Sequence, residues 1–249
     1  MNLWNKKTIN LTLPIYNEET ILKENVQKIL DFLGSSGLND HYQLWIILVD
    51  NASTDQTATI AQNFIPLLRK EGLGEVDYLF IPQKGKGLAI KTAWEKFRAD
   101  YYIFMDADLA TDLEALPRLI QELENGADLV IGSRYLPQSK TQRSFARLLI
   151  SKIYRQIAKT WLGLPFSDLP CGFKGVNHKL ITSLIPLIKN NEWFFDTELL
   201  FRAHRAGYQI KEIPVTWTET LNQKRKSRVG IIRVSWNYLK ALLRLKFQS

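Results

Sequence analysis

Tyr101-Tyr102-Ile103-Phe104-Met105-Asp106-Ala107-Asp108 is the stretch whose reading decides the fold. Five apolar residues form a run of strand length, and it stops at two carboxylates one residue apart. Alternate residues past a strand end can bring both carboxylates to one hard cation, which in turn can hold a diphosphate. Asp-x-Asp also serves ordinary surface turns, so its surroundings matter. Two further strand-like runs end in polar groups: Leu13-Pro14-Ile15-Tyr16-Asn17-Glu18-Glu19 and Leu48-Val49-Asp50-Asn51-Ala52-Ser53-Thr54-Asp55. In open α/β sheets, ligands bind at the carboxyl ends of the strands.

Working outward, Ile9 to Leu13 and Leu44 to Val49 read as buried strands. Between them Leu22, Val26, Ile29 and Leu33 share one helical face, and Gly34 and Gly37 stop that helix. Ser53-Thr54-Asp55 can cap a helix running to about Leu68. Val76 to Ile81 is a third strand, followed by Lys84-Gly85-Lys86-Gly87 and a helix to about Phe97. A helix over Leu113 to Glu124 and a strand at Asp128 to Ile131 come after Asp108. This alternation predicts an α/β fold, a mostly parallel central sheet with helices on both faces. Beyond Gly132 the pattern predicts helices over Ser144 to Leu162, Asn177 to Leu187 and Phe195 to Ala206. A loop is expected at Pro165 to Gly175 and an extended segment at Gln209 to Trp217.

The chain has 249 residues, 45% hydrophobic and 23% charged, which suits one large domain or two small ones with a sizeable core. No apolar stretch approaches the ~20 residues of a membrane span, and Met1 to Lys7 lacks the apolar core of a signal peptide. Cys171 is the only cysteine, which excludes an internal disulfide and fits a reducing cytoplasm. It reads as a small packed side chain rather than a reactive thiol. The net charge is +8, with Lys and Arg concentrated in the last third. No nucleic-acid recognition motif accompanies that charge, so no nucleic-acid partner is expected. His41, His178 and His204 are scattered, which argues against a histidine metal site or triad.

Each polar segment has a structural and a functional reading. Pro14 to Glu19 can simply cap a helix, or present an aromatic ring to a nucleobase. Asp50 and its small polar neighbours can form a turn, or accept hydrogen bonds from a base or ribose. Lys84 to Gly87 lacks the P-loop spacing. Its glycines still permit close backbone approach, and its lysines can meet phosphate oxygens.

Taken together, these four segments resemble the family-2 glycosyltransferases of the GT-A fold, over Ile9 to about Trp217. Gly132-Ser133-Arg134-Tyr135, Cys171-Gly172-Phe173-Lys174 and Phe195-Asp196-Thr197-Glu198-Leu199 narrow the resemblance to enzymes that move glucose or mannose onto dolichyl or other polyprenyl phosphates. The resemblance implies an inverting hexosyltransferase using a UDP- or GDP-hexose. It implies that Pro14, Tyr16, Glu18, Asp50 and Asn51 hold the nucleoside, with Lys84, Lys86 and Gly87 near the phosphates. Asp106, Ala107 and Asp108 form the donor motif, and Asp106 and Asp108 hold Mg²⁺ or Mn²⁺. Two positions depart from the family pattern: Asn51 replaces a second aspartate, and Ala110 replaces a glutamine that helps ligate the metal in some relatives.

Arg134 and Arg147 could be merely solvated surface residues, but relatives that act on lipid phosphates place arginines here, so the resemblance implies that they, with Lys226 and Arg228, meet the acceptor phosphate. A phosphate nucleophile needs no general base. A saccharide or protein hydroxyl does, and Asp196 or Glu198 would supply it, unless they merely pair with Arg202 or Arg205. A catalytically inactive nucleotide-sugar or membrane scaffold is the reading from another class, and the intact Asp50, Asp106 and Asp108 count against it. Residues 1–217 are expected to form the catalytic domain. Residues 218–249 form a basic segment and an amphipathic helix that either completes the core or lies peripherally on the cytoplasmic face of a membrane.

Overall fold

The computed structural model describes residues 6–71, 75–142, 155–219, 238 and 240–245. Its strands are β1 (Lys7–Ile15), β2 (Tyr42–Asp50), β3 (Glu75–Phe80), β4 (Tyr101–Met105), β5 (Leu129–Ser133), β6 (Lys140–Gln142), β7 (Phe173–Asn177), β8 (Ile210–Pro214) and β9 (Thr216–Thr218). The helices are α1 (Leu22–Ser35), α2 (Leu38–His41), α3 (Thr57–Glu71), α4 (Lys86–Lys96), α5 (Ala115–Glu124), α6 (residues 155–162), α7 (His178–Leu184) and α8 (Phe195–Arg205). Seven strands form one sheet in the order β3-β2-β1-β4-β7-β5-β8, and β6 pairs with β9 apart from it.

The sheet is parallel except at β7, which runs antiparallel to both β4 and β5. Its first residues fall in the segment expected to be a loop. Lys174 and Gly175 interrupt its apolar pattern, yet both are buried. A Cβ at Gly175 would collide with Leu119 of α5, so glycine permits the close sheet–helix approach here. The expected extended segment Gln209 to Trp217 takes in β8 and the first two residues of β9, while the three-residue β6 was not expected.

Alternate residues of β4 divide the core into two layers. Ile103 and Met105 face α1, α3 and α5, where Leu22, Val26, Ile29 and Leu33 of α1 pack as their spacing predicts. Tyr102 and Phe104 face the other way, against Trp94 of α4, Leu180 of α7 and Phe195 and Leu199 of α8. Each such fully buried side chain contributes about 1.5–3 kcal/mol. Helix α1 begins where the Glu18 carbonyl accepts from Ile21 and Leu22 N–H. It stops just before Gly37, whose φ of +72° is a conformation glycine adopts without strain.

Residues 240–245 are helical, with Leu242 and Leu245 buried in the second layer. The Tyr238 hydroxyl donates to the Trp193 carbonyl at 2.8 Å, and its ring stands edge-on to Phe194. This part of the tail completes the core, although Leu243 stays 42% exposed. Ile231, Trp236 and Phe247, also expected on an interfacial face, lie outside the described residues. Among the described residues, no helix is long and apolar enough to cross a membrane.

Candidate active site

The carboxyl ends of β1, β2 and β4 lie side by side, because β1 pairs with both others in parallel register, Ile15 opposite Asp50. The loop after β1 and the loop after β2 are laced together. Ser53 Oγ accepts from Asn17 N–H at 2.9 Å, Asn17 Oδ1 from Thr54 N–H at 2.7 Å, and Thr57 Oγ1 from Glu18 N–H at 2.6 Å. Asn17 takes φ of +54°, a conformation that asparagine tolerates better than most residues. Sequence reading gave Asn17 only a helix-cap part.

Of the expected nucleoside residues, Pro14 lies near the end of β1 and Asp50 ends β2, while Tyr16, Glu18 and Asn51 lie in the two loops that follow. Tyr16 meets the lysine turn after β3, where Lys84 Nζ donates to its hydroxyl at 2.5 Å. Asp50 departs from expectation. It is fully buried, with Oδ1 accepting from Ser53 N–H and Oδ2 from the Tyr78 hydroxyl, both at 2.9 Å. In this placement it shapes the loop and offers no exposed surface to a nucleoside. Asn51 is 4% exposed, and its amide oxygen is buried with no hydrogen-bond partner among the described residues. Leaving such an acceptor unmatched costs about 1–3 kcal/mol.

The Asp106-Ala107-Asp108 turn is held from two directions. Asp106 N–H donates to the Gly172 carbonyl at 3.1 Å, and Asn25 Nδ2 of α1 donates to the Ala107 carbonyl at 2.9 Å. Ala107 thus contributes backbone, its side chain being buried. A Cβ at Gly172 would collide with the Asp106 carboxylate, so glycine leaves that carboxylate its place. Leu109 adopts φ of +50°, strained for a leucine, and Ala110 N–H donates to Asp108 Oδ1 at 3.2 Å. A cavity of about 610 Å³ adjoins Asp108 on the α1 side, walled by Asn25, Lys28, Thr111, Thr216 and Thr218.

Lys86 opens α4 and reaches Asp106. Its ammonium stands 2.6 Å from Asp106 Oδ1 and 3.6 Å from Asp196 Oδ2, between the faces of Phe104 and Trp193. Burial alone would lower the Lys86 pKa, but Asp106 and Asp196 more than reverse this and hold it above the ordinary lysine value. Burial, joined by the Asp108 and Asp196 charges, pushes Asp106 above the usual carboxylate range against the pull of Lys86. A divalent cation relieves such carboxylate crowding. Two carboxylates, with the remaining positions left to water and phosphate oxygens, form the kind of donor set that Mg²⁺ and Mn²⁺ accept. Asp106 and Asp108 therefore fit the expected metal.

Gly87 lets this turn approach α8, since a Cβ there would lie 2.6 Å from Phe195 Cβ. The α8 carboxylates do not stand open as bases. Asp196, 2% exposed, is joined to Lys174 at 2.5 Å. Glu198 accepts from Lys189 and Asn190 N–H and from Arg202 Nε, at 3.1, 2.8 and 2.7 Å. The expectation of Glu198 as a base gives way to a structural role that fixes the segment before α8.

Arg134 also departs from expectation. Its backbone N–H, Nε and Nη2 all donate to Asp168, at 2.9, 2.7 and 2.8 Å, with the Asp168 side chain fully buried. The guanidinium is committed inside the protein, stacked near Trp217, rather than presented to an acceptor phosphate. Arg147, Lys226 and Arg228 lie outside the described residues. Lys174 and Asp168 carry this architecture, and sequence reading missed both. Each sits in a segment read as loop, and only the fold supplies its partner.

Comparison with known proteins bears on the family and the fold. The chain is 30% identical over 226 residues to the glycosyltransferase AglD of Haloferax volcanii, covering 90% of this chain but only 35% of that protein. It is 27% identical over 254 residues to a dolichyl-phosphate beta-glucosyltransferase of Dictyostelium discoideum, covering 96% of this chain and 77% of the relative. Among solved structures, glucosyl-3-phosphoglycerate synthase of Mycobacterium tuberculosis with Mn²⁺ and UDP-glucose superposes with a TM-score of 0.64 at 19% identity. That match covers 96% of this chain and 79% of the other, and bears on the fold alone. Residues 11–184, more than half the chain, match the sequence profile of Glycosyl transferase family 2. The chain belongs to glycosyl transferase family 2.

Proposed function

We propose that this chain is an inverting hexosyltransferase that moves glucose or mannose from a UDP- or GDP-hexose to a polyprenyl phosphate. One observation carries the choice of acceptor: Asp196 and Glu198, the carboxylates expected to serve as bases, are both committed to internal partners. A hydroxyl acceptor needs a base within hydrogen-bond reach of its proton. A phosphate monoester is already an anion near neutral pH and needs none. The dolichyl-phosphate acceptor in the name of the Dictyostelium relative points the same way.

In this reading the loops after β1 and β2 hold the nucleoside. Lys84 and Lys86 meet the diphosphate. Asp106 and Asp108 would hold Mg²⁺ or Mn²⁺, whose charge would offset the charge developing on the departing diphosphate. The cavity beside Asp108 is of a size that suits a small polar ligand. The enzyme works peripherally at the cytoplasmic face of the membrane that holds its lipid.

The test is a donor panel. UDP-glucose, GDP-mannose and their exchanged counterparts, radiolabelled, are incubated with polyprenyl phosphate and Mg²⁺ or Mn²⁺. Label in the extractable lipid that disappears with EDTA supports the reading. Preferential transfer to a free sugar or alcohol overturns it.

A further inference from the structure

Four charged side chains alternate in sign from the interior to the strand ends: Lys174, Asp196, Lys86 and Asp106. Lys174 is fully buried, and its ammonium donates to the carbonyls of Leu169 and Cys171 and to Asp196 Oδ1, at 3.1, 2.5 and 2.5 Å. These bonds use all three of its donors. Asp196 is thereby fixed through one oxygen, and its other oxygen faces Lys86 at 3.6 Å. Lys86 in turn reaches Asp106 at 2.6 Å.

A lysine on a flexible four-carbon stem has no preferred direction of its own. Here the direction is imposed by carboxylates on two sides, the rings of Phe104 and Trp193, and the tight seating of Gly87 on Phe195. Asp196 is 2% exposed and so offers almost no surface of its own to a ligand.

We propose that Asp196 is a positioning residue: clamped by Lys174, it holds the Lys86 ammonium beside Asp106, aimed to meet the diphosphate of a nucleotide donor. The inference rests on the nucleotide-sugar reading above and gives α8 a part in donor binding rather than proton transfer. A preset cation binds diphosphate without first having to be ordered.

Binding, not turnover, provides the test. UDP and GDP are titrated calorimetrically with Mn²⁺ into the wild-type chain, and the tighter one is compared with its nucleoside monophosphate. Asp196→Asn should weaken diphosphate binding by about 10- to 100-fold, the range for one charge-assisted hydrogen bond, and change monophosphate binding far less. Lys86→Met should weaken it similarly, and the double variant should lose no more than Lys86→Met alone. Because Asp196→Asn leaves Lys174 buried without its counter-ion, Lys174→Met/Asp196→Leu provides a second variant without buried charge, with the same expected loss. Unchanged diphosphate affinity in a folded variant, or losses that add across Asp196 and Lys86, overturns the inference. A wild-type chain that binds neither UDP nor GDP overturns the donor reading instead.

Discussion

Replacing Asp168 by alanine separates two accounts of Arg134. The wild-type pair has three hydrogen bonds into one carboxylate, with the arginine side chain 9% exposed and the aspartate side chain fully buried. Asp168→Ala strands a guanidinium inside the protein, a change that costs about 3–5 kcal/mol. Against a total stability of about 5–15 kcal/mol, that is a large share. For a domain of this size each kcal/mol moves Tm by about 2–4 °C, so Tm should fall by roughly 6–20 °C. Thermal unfolding followed by circular dichroism, without ligands, measures it. Arg134→Met/Asp168→Leu should recover most of the loss, because apolar residues of similar bulk replace buried ion pairs with little penalty. An unchanged Tm for Asp168→Ala, with a raised KM for the acceptor, would refute this reasoning and return Arg134 to the acceptor phosphate.

Three further outcomes are expected. Asp108→Asn should abolish metal-dependent transfer while leaving the circular dichroism spectrum intact; full wild-type activity in excess EDTA would contradict the metal assignment. Gly172→Ala should displace the Asp106 carboxylate and weaken Mn²⁺ binding by about 10–100-fold, the range for losing a ligand's orienting contact, while an unchanged calorimetric Kd would count against it. Burial pushes the Cys171 thiol up to about 12, so at pH 8 only about one part in ten thousand is thiolate. Iodoacetamide should therefore label the native chain only after unfolding, and rapid labelling of folded protein would show that the packing is wrong.

The parallel half of the sheet was legible because β1, β2 and β4 are apolar runs that end abruptly in polar groups, and such punctuation survives without tertiary information. Lys86 and Asp106 follow β3 and β4, which are separated in the sheet by β2 and β1, so their meeting was not legible from the order of the strands along the chain. What escaped was whatever depends on distant partners. Strand β7 carries a lysine that looks solvated until Asp196 is brought to it. Arg134 looked available because Asp168 lies in a segment with no periodic pattern. Asp196 and Glu198 share the first turn of α8, and local sequence does not distinguish a carboxylate facing a buried lysine from one capping backbone N–H groups.

The antiparallel insertion of β7 also sets a timetable. Strands β4 and β5 follow one another in the chain, yet the space between them is filled by a strand made later. Until Asn177 has left the ribosome, one edge of β4 is open and the Asp106 N–H has no carbonyl to bond. Lys86 waits longer still, for Asp196. At about 5–20 residues per second, the gap between synthesis of β4 and completion of α8 lasts on the order of 5–20 s. During that time the nascent chain carries its acidic turn on an unpaired strand edge, the kind of surface on which chains aggregate. The catalytic face is thus one of the last parts of the described chain to be assembled, and a ribosome stalled before β7 would release a polypeptide with the Asp-x-Asp motif and no working site.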